Sequence, residues 1–278
     1  MIKTLVLFVL LFPFPDVSLL ELGKATSIRK QTSTSTEIKV VTYNVRWRSG
    51  QDLKNIIKAL QEDPEVGNAA IIALQEVDRN KKRSGSHNTA KQIADELGLH
   101  YAWAAPPSPE PTDEEQTGVA LMSIYPLSDV QRIVLPHEGP GHRRRVALGA
   151  TVEIENRKWR VYSAHSETRI AVSKKLEQFK ALLDDLARFP ADMLAIIMGD
   201  LNTWEPSADD KTAKFFTGAG WKTPFGGEAT FRRRVLMVPL ELKLDWVWLR
   251  GLEATSHGIG RKIEISDHWP LWTNVKFR

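Results

Sequence analysis

The stretch LAIIMGDLN, residues 194–202, decides how the chain is read. Its first five residues are apolar, as in a strand buried on both faces. The run stops at Gly199 and Asp200, with Asn202 two residues on, so a carboxylate and an amide stand where a strand gives way to a turn. The same arrangement recurs: VVTY ends in Asn44, IIALQ in Glu76 and VYSA in His165. Later segments add Asp245, inside LKLDWVWL, and the pair Asp267 and His268, just before PLW. A sheet brings the ends of distant segments to one rim, so these polar groups can form one cluster.

Around that stretch the pattern alternates short apolar runs with amphipathic ones. Strands are predicted at Lys39 to Tyr43, Ala70 to Leu74, Val119 to Ser123, Val146 to Ile154, Trp159 to Ala164, Leu194 to Met198, Leu244 to Leu249 and Leu271 to Val275. Helices are predicted at Leu53 to Gln61, where Leu53, Ile56, Ile57 and Leu60 repeat at helical spacing, at Thr89 to Leu97, and at Val172 to Phe189. The chain is therefore mixed α/β. No repeat appears, and the Pro-rich stretch Pro106 to Pro111 reads as a loop, so one domain over residues 37–278 is the simplest partition.

The first 25 residues differ from the rest. Lys3 precedes an apolar run from Leu5 to about Phe14, cut off by Pro13 and Pro15. A spanning helix needs roughly 20 apolar residues, so residues 1–25 read as a secretory signal, or as an N-terminal anchor if they are not cleaved. Gly23, Lys24 and Ala25 offer a cleavage site, and the Ser/Thr-rich residues 26–36 read as a flexible lead-in. Export to the periplasm or the outside follows, with membrane attachment if the leader stays.

Composition narrows the chemistry. With 42% hydrophobic and 26% charged residues over 278 positions, disordered and fibrous classes are excluded. Lysine and arginine exceed aspartate and glutamate by 38 to 34, a mild excess of +4 that permits an anionic partner. Cysteine is absent, which removes disulfides, thiolate metal sites and cysteine nucleophiles. Any metal must be held by oxygen or imidazole.

Each polar residue taken singly has a plainer reading. Asn44 and the Gly199-to-Asn202 segment are also good turn formers. His165 and the Asp267–His268 pair could serve as hydrogen-bonded structural groups. Glu76 is harder to place that way, because a carboxylate ending a buried strand costs several kcal/mol without a partner. All of them together, in this order and each at a strand end, are not explained by turn formation.

Seven segments carry a closer likeness: TYNVRW (42–47), LQEVDR (74–79), GVALMSIYPL (118–127), SAHSETR (163–169), IIMGDLNTW (196–204), LDWVWL (244–249) and SDHWPLW (266–272). In them the chain resembles the endonuclease/exonuclease/phosphatase superfamily. Ala164 departs from the Thr that commonly precedes the central histidine there. The resemblance implies a four-layer α/β/β/α sandwich with its site at one rim of two packed sheets. It also implies a phosphoester hydrolase with Glu76 as leading metal ligand and Asn44 and Asp267 as companions. Oxygen ligands suit Mg²⁺ or Mn²⁺ rather than zinc. Asp200 would orient or deprotonate the attacking water, Asn202 would donate to a phosphoryl oxygen, and His268, with Asp245 fixing its tautomer, would contact the phosphate. His165 is the second candidate acid, and sequence does not separate the two histidines.

Basic groups at 79–83, 143–145 and 232–234 read either as solvated loops or as steering charge for a polyanion. Arg46 and Arg48, directly after Asn44, and Arg145 are the candidate phosphate contacts. Trp246 should turn away from Asp245 into the core, whereas Trp204 and Trp269 stand as candidate rim aromatics. The expected substrate is a phosphodiester, with nucleic acid first. The alternatives are phosphatase action or a phospholipid or sphingolipid substrate, and last a non-catalytic binding module, which the complete polar set disfavours. No obligate protein partner is expected, and the chain is read as a monomer.

Overall fold

The structure, a computed structural model, describes residues 18–25, 37–108, 114–236 and 238–277. Residues 1–17 of the predicted leader, the lead-in at 26–36 and part of the loop from Pro106 to Pro111 lie outside the described residues.

One sheet has seven strands: β1 (Leu20–Gly23), β2 (Ile38–Asn44), β3 (Ile71–Arg79), β4 (His100–Ala104), β5 (Gln116–Ser123), β13 (Leu252–Ile259) and β14 (Leu271–Phe277). Their order across the sheet is β1-β4-β5-β3-β2-β14-β13. The second sheet has the order β12-β9-β8-β7-β6, with β6 (Ser128–Val134), β7 (Val146–Ile154), β8 (Arg157–His165), β9 (Leu194–Asp200) and β12 (Asp245–Arg250). A separate hairpin pairs β10 (Phe231–Val235) with β11 (Val238–Leu242). Four helices complete the described chain: α1 (Gly50–Glu62), α2 (Thr89–Leu97), α3 (Val172–Leu186) and α4 (Ala208–Gly218).

Local sequence accounts for these elements. α1 buries Leu53, Ile56, Ile57 and Leu60 and ends at Asp63, whose extended backbone suits the following Pro64. Asn88 caps α2 by accepting the Lys91 N–H at 3.1 Å, and Gly98 closes it in the left-handed conformation. α3 stops three residues short of the predicted Phe189. Arg188 and Phe189 instead bond to carbonyls three residues back, in a tighter turn before Pro190.

Alternation sorts the second sheet into its two faces. Ile196, Met198, Val247 and Leu249 join the core shared with the seven-stranded sheet, α1 and α2. Ala195, Ile197, Trp246 and Trp248 face the other way, against Phe179 and Leu182 of α3 and Phe216 of α4. Trp248 stacks on Phe216 at 4.8 Å and on Trp246 at 5.1 Å, so these late tryptophans bind a helix layer to a sheet. The result is the α/β/β/α sandwich, and Trp246 lies in the core as expected.

β1 falls inside the stretch read as a leader. Its edge is tied down by Tyr101 donating to Glu21 at 2.7 Å and by Arg79 donating to the Ser18 carbonyl at 2.7 Å. Cleavage after Ala25 would remove this strand.

Candidate active site

Strand register assembles half of the site. His165 on β8 lies beside Asp200 on the parallel β9, and Asp245 on the antiparallel β12 lies on the other side of Asp200. Three neighbouring strands thus carry one row of titratable groups. In the facing sheet Asn44 on β2 lies beside Gln75 on β3. The pairing of β3 with β5 slips between Gln75 and Val77, and Glu76 takes a φ of 56°. A left-handed non-glycine residue costs on the order of 1–2 kcal/mol. The bulge breaks the alternation, and Glu76 lines the cleft.

The ends of β8 and β9 must approach closely for this row to form. Gly199 has a φ of 142°, and a Cβ there would lie 2.0 Å from the carbonyl oxygen of Ala164. Below the row, Gln75 donates to Ser163 at 3.1 Å, and Ser163 donates to the Leu74 carbonyl at 3.0 Å, so the two sheets are bonded directly beneath the site.

Asp200 is the centre of the cluster. Its Oδ2 accepts from the Asn44 amide at 3.0 Å, and Nε2 of His165 and of His268 stand 3.6 and 3.7 Å from it. Its Oδ1 accepts the Asn202 backbone N–H at 2.9 Å. Asn44 also donates to Glu76 at 3.3 Å, linking the row to the facing sheet. Asn202, with a φ of 51°, anchors its amide on the Ser166 carbonyl at 3.0 Å, leaving a second amide hydrogen for another acceptor.

The two histidines differ in charge. His268 places Nδ1 2.8 Å from Asp245 Oδ2, and Thr230 donates to the same oxygen at 2.7 Å. Burial alone would lower the ring, but the Asp245 and Asp200 charges prevail and push it up to about 10, so it is a cation at neutral pH. Nδ1 of His165 faces Arg145 Nη1 at 3.3 Å. Guanidinium can only donate, so this nitrogen accepts, and the ring proton sits on Nε2, toward Asp200. Burial and then the Arg145 charge hold His165 well below its ordinary range, consistent with a neutral ring. Asp200 is pushed up to about 7 by burial and by Asp245, against the lowering effect of His268 and its hydrogen bonds.

Beside this cluster opens a cleft of about 280 Å³ lined by Trp47, Glu76, Arg83, Arg143, Arg145 and His165. The fully buried Glu167 holds two of these arginines, accepting from Arg143 at 2.7 Å and from Arg145 at 3.2 Å. Asp78 holds the third, accepting from Arg83 at 2.7 and 2.9 Å, and Arg83 lies 4.3 Å over the Trp47 ring. Fixed guanidinium groups around a concave space form an anion site.

The donor set also fits a hard cation. Glu76 is half-buried and forms no ion pair among the described residues, and its Asn44 bond is long. Asp245 Oδ1 is buried without a partner among the described residues. Asp200, Asp245 and His268 bring ligand atoms within 4.8 Å of one another. A protonated imidazole has no lone pair to coordinate a metal, however, so Glu76 and Asn44 are the better place for the ion. Oxygen donors there suit Mg²⁺ or Mn²⁺.

The structure brings Asn44, Glu76, His165, Asp200, Asn202, Asp245 and His268 together. Arg145 faces the cleft, whereas Arg46 bonds Asp267 at 2.6 Å, so these two residues hold each other. Trp204 is 46% exposed, but Trp269 is buried beneath Arg261 and Arg232 at 4.6 and 5.3 Å and is no rim aromatic. Sequence reasoning did not single out Glu167, Thr230 or Trp47, and it named Arg83 only within the basic group at 79–83. Glu167 had a usable signal, a carboxylate two residues beyond His165 in a chain carrying an arginine triplet. Thr230, 15 positions from Asp245, had none.

Comparisons with known proteins bear on the family and the fold. A sequence model described as the endonuclease/exonuclease/phosphatase family matches residues 41–268. Comparison with curated proteins gives no match. Among solved structures, a family protein from Leptotrichia buccalis C-1013-b is 18% identical, with a TM-score of 0.67 over 86% of this chain and 100% of that one. The human Nocturnin catalytic domain with bound sulfate is 18% identical, with a TM-score of 0.66 over 87% of this chain and 94% of that one. TDP2 from D. rerio, complexed with a single-strand DNA product, is 14% identical, with a TM-score of 0.66 over 87% and 100%. At these identities the structures speak to the fold, and the match over residues 41–268 to descent: the chain belongs to the endonuclease/exonuclease/phosphatase family.

Proposed function

We propose that the chain is an exported, divalent-metal-dependent phosphodiesterase that cleaves its substrate by in-line attack of water. The observation carrying this reading is the crowding of Asn44, His165 and His268 within 3.7 Å of Asp200 Oδ2, beside a cleft walled by arginines. Phosphoester hydrolysis needs an oriented water, neutralised phosphoryl oxygens and a stabilised leaving oxygen. Asp200 supplies the first, as the acceptor that orients or deprotonates the water. The imidazolium of His268, the spare amide hydrogen of Asn202 and Arg145 supply the second. Neutral His165, with its Nε2 proton facing the cluster, is placed to hydrogen-bond a reacting oxygen. A Mg²⁺ or Mn²⁺ ion held by Glu76 and Asn44 would supply Lewis-acid stabilisation of charge building on the phosphoryl group.

Arginines around the cleft and Trp47 on its wall support nucleic acid as substrate. Burial of most tryptophans removes part of that support. A phospholipid phosphodiester is the second reading, favoured by the aliphatic hairpin beside His268. Purified protein should hydrolyse at least one of single-stranded DNA, RNA and phospholipid vesicles with Mg²⁺ or Mn²⁺, and a chelator should abolish turnover. Inertness toward all of them, or activity that survives chelation, would overturn the proposal.

A further inference from the structure

The β10–β11 hairpin stands outside both sheets. Its base is fixed to the site: the Phe231 ring meets His268 edge-on at 4.9 Å, and the Arg232 N–H donates to the Asp267 carbonyl at 2.7 Å. Directly opposed residues of an antiparallel pair share a face. Phe231 pairs with Leu242 and Arg233 with Leu240, so one face leads from His268 outward through Phe231, Leu242 and Leu240 to Val238. Near the tip the aliphatic groups are exposed among the described residues: Leu236 is 94% exposed, Val238 65% and Leu240 41%. The stem carries Arg232, Arg233 and Arg234 against Glu241, an excess of two positive charges. Arg232 is paired with Glu264, while Arg233 and Arg234 are exposed.

We propose that this hairpin docks the enzyme on an anionic lipid bilayer, with Leu236 and Val238 entering the headgroup–acyl boundary and Arg233 and Arg234 lying among the headgroups. Aliphatic tips bearing adjacent basic residues match that interface in both polarity and charge. Aliphatic side chains offer no stacking platform for bases, which weighs against nucleic acid as the occupant. Three side chains also fall well short of the roughly 800 Å² per partner that a stable protein interface buries, which weighs against a second copy. Beyond the base, where Phe231 bridges to His268, each strand of the pair keeps one edge unpaired among the described residues, so insertion stops at the boundary rather than entering the hydrocarbon. The turn lies five residues beyond Phe231, about 17 Å at strand rise. Docking therefore concentrates the cleft beside headgroup phosphodiesters. Only that substrate consequence rests on the phosphodiesterase reading, because docking itself needs no turnover.

The cysteine-free chain permits a direct test. Leu236→Cys in the full-length protein, labelled with an environment-sensitive fluorophore, is mixed with vesicles of phosphatidylcholine and phosphatidylglycerol. The same label on Lys158→Cys, at the end of β8 away from His165, is the control, and thermal unfolding followed by circular dichroism checks both folds. The label at 236 should shift to the blue and be quenched by lipid-borne quenchers, while the label at 158 should not. Charge reversal by Arg233→Glu with Arg234→Glu should lower the partition by at least about 30-fold. An unshifted label at 236, equal shifts at both positions, or a shift that needs only more protein or added DNA would overturn the proposal. Each labelled position reports only its own surroundings, so membrane contact by another segment does not imitate the result.

Discussion

Arg145 points its guanidinium at Nδ1 of His165 across 3.3 Å, which leaves that ring neutral with its proton on Nε2. In the unfolded chain the same ring takes up a proton near pH 6.5, whereas the folded chain resists it because of burial and the Arg145 charge. The unfolded state then binds the extra proton, so this site lowers stability as the pH falls below about 6.5 and has no effect well above it. Denaturant titrations at about pH 7.5 and about pH 5 should show the wild type losing more stability on acidification than His165→Gln. Equal losses would mean that His165 is already charged when folded.

The Glu167 carboxylate accepts from Arg143 and Arg145, and Arg145 in turn reaches His165. Glu167→Gln leaves both guanidinium groups without their buried countercharge. Stability should fall by about 2 kcal/mol. The arginines would also lose their fixed directions, so kcat/KM should drop on the order of 10²-fold. A stability loss with unchanged kinetics would make Glu167 a purely structural residue.

Gly199 is required by the approach of β9 to β8. In Gly199→Ala the added Cβ meets the Ala164 carbonyl oxygen at 2.0 Å, and neither backbone can move without disturbing the pairing of His165 with Asp200. The variant should unfold at least several degrees lower and lose most activity even when folded. A melting temperature within a degree of the wild type would contradict the close packing.

Much of this was legible in the sequence because burial leaves a clear trace. LAIIMG and IIALQ are strands covered on both faces, and the polar residue ending each one marked the rim where the site forms. Asn44, Glu76, His165 and Asp200 stand at such ends. β6 and β13 were not anticipated, because their residues are largely exposed and lack a continuous apolar run. β1 was hidden for another reason: its LELG lies beside the leader's apolar run, and only pairing with β4 distinguishes it. The charge of each histidine was illegible too. It depends on Arg145 and Asp245, which lie 20 and 23 positions away from their partners.

The most direct test of the account is the rate of phosphodiester hydrolysis by Asp200→Asn, compared with the wild type on the same substrate in Mg²⁺. Asparagine preserves the shape, but its single amide oxygen can accept from only one of Asn44 and Asn202, which bond different oxygens of Asp200, and it removes the group that orients or deprotonates water. The account predicts a fall in kcat of about 10²–10⁴-fold in a variant that still unfolds in one cooperative transition. A variant that keeps wild-type turnover would contradict it.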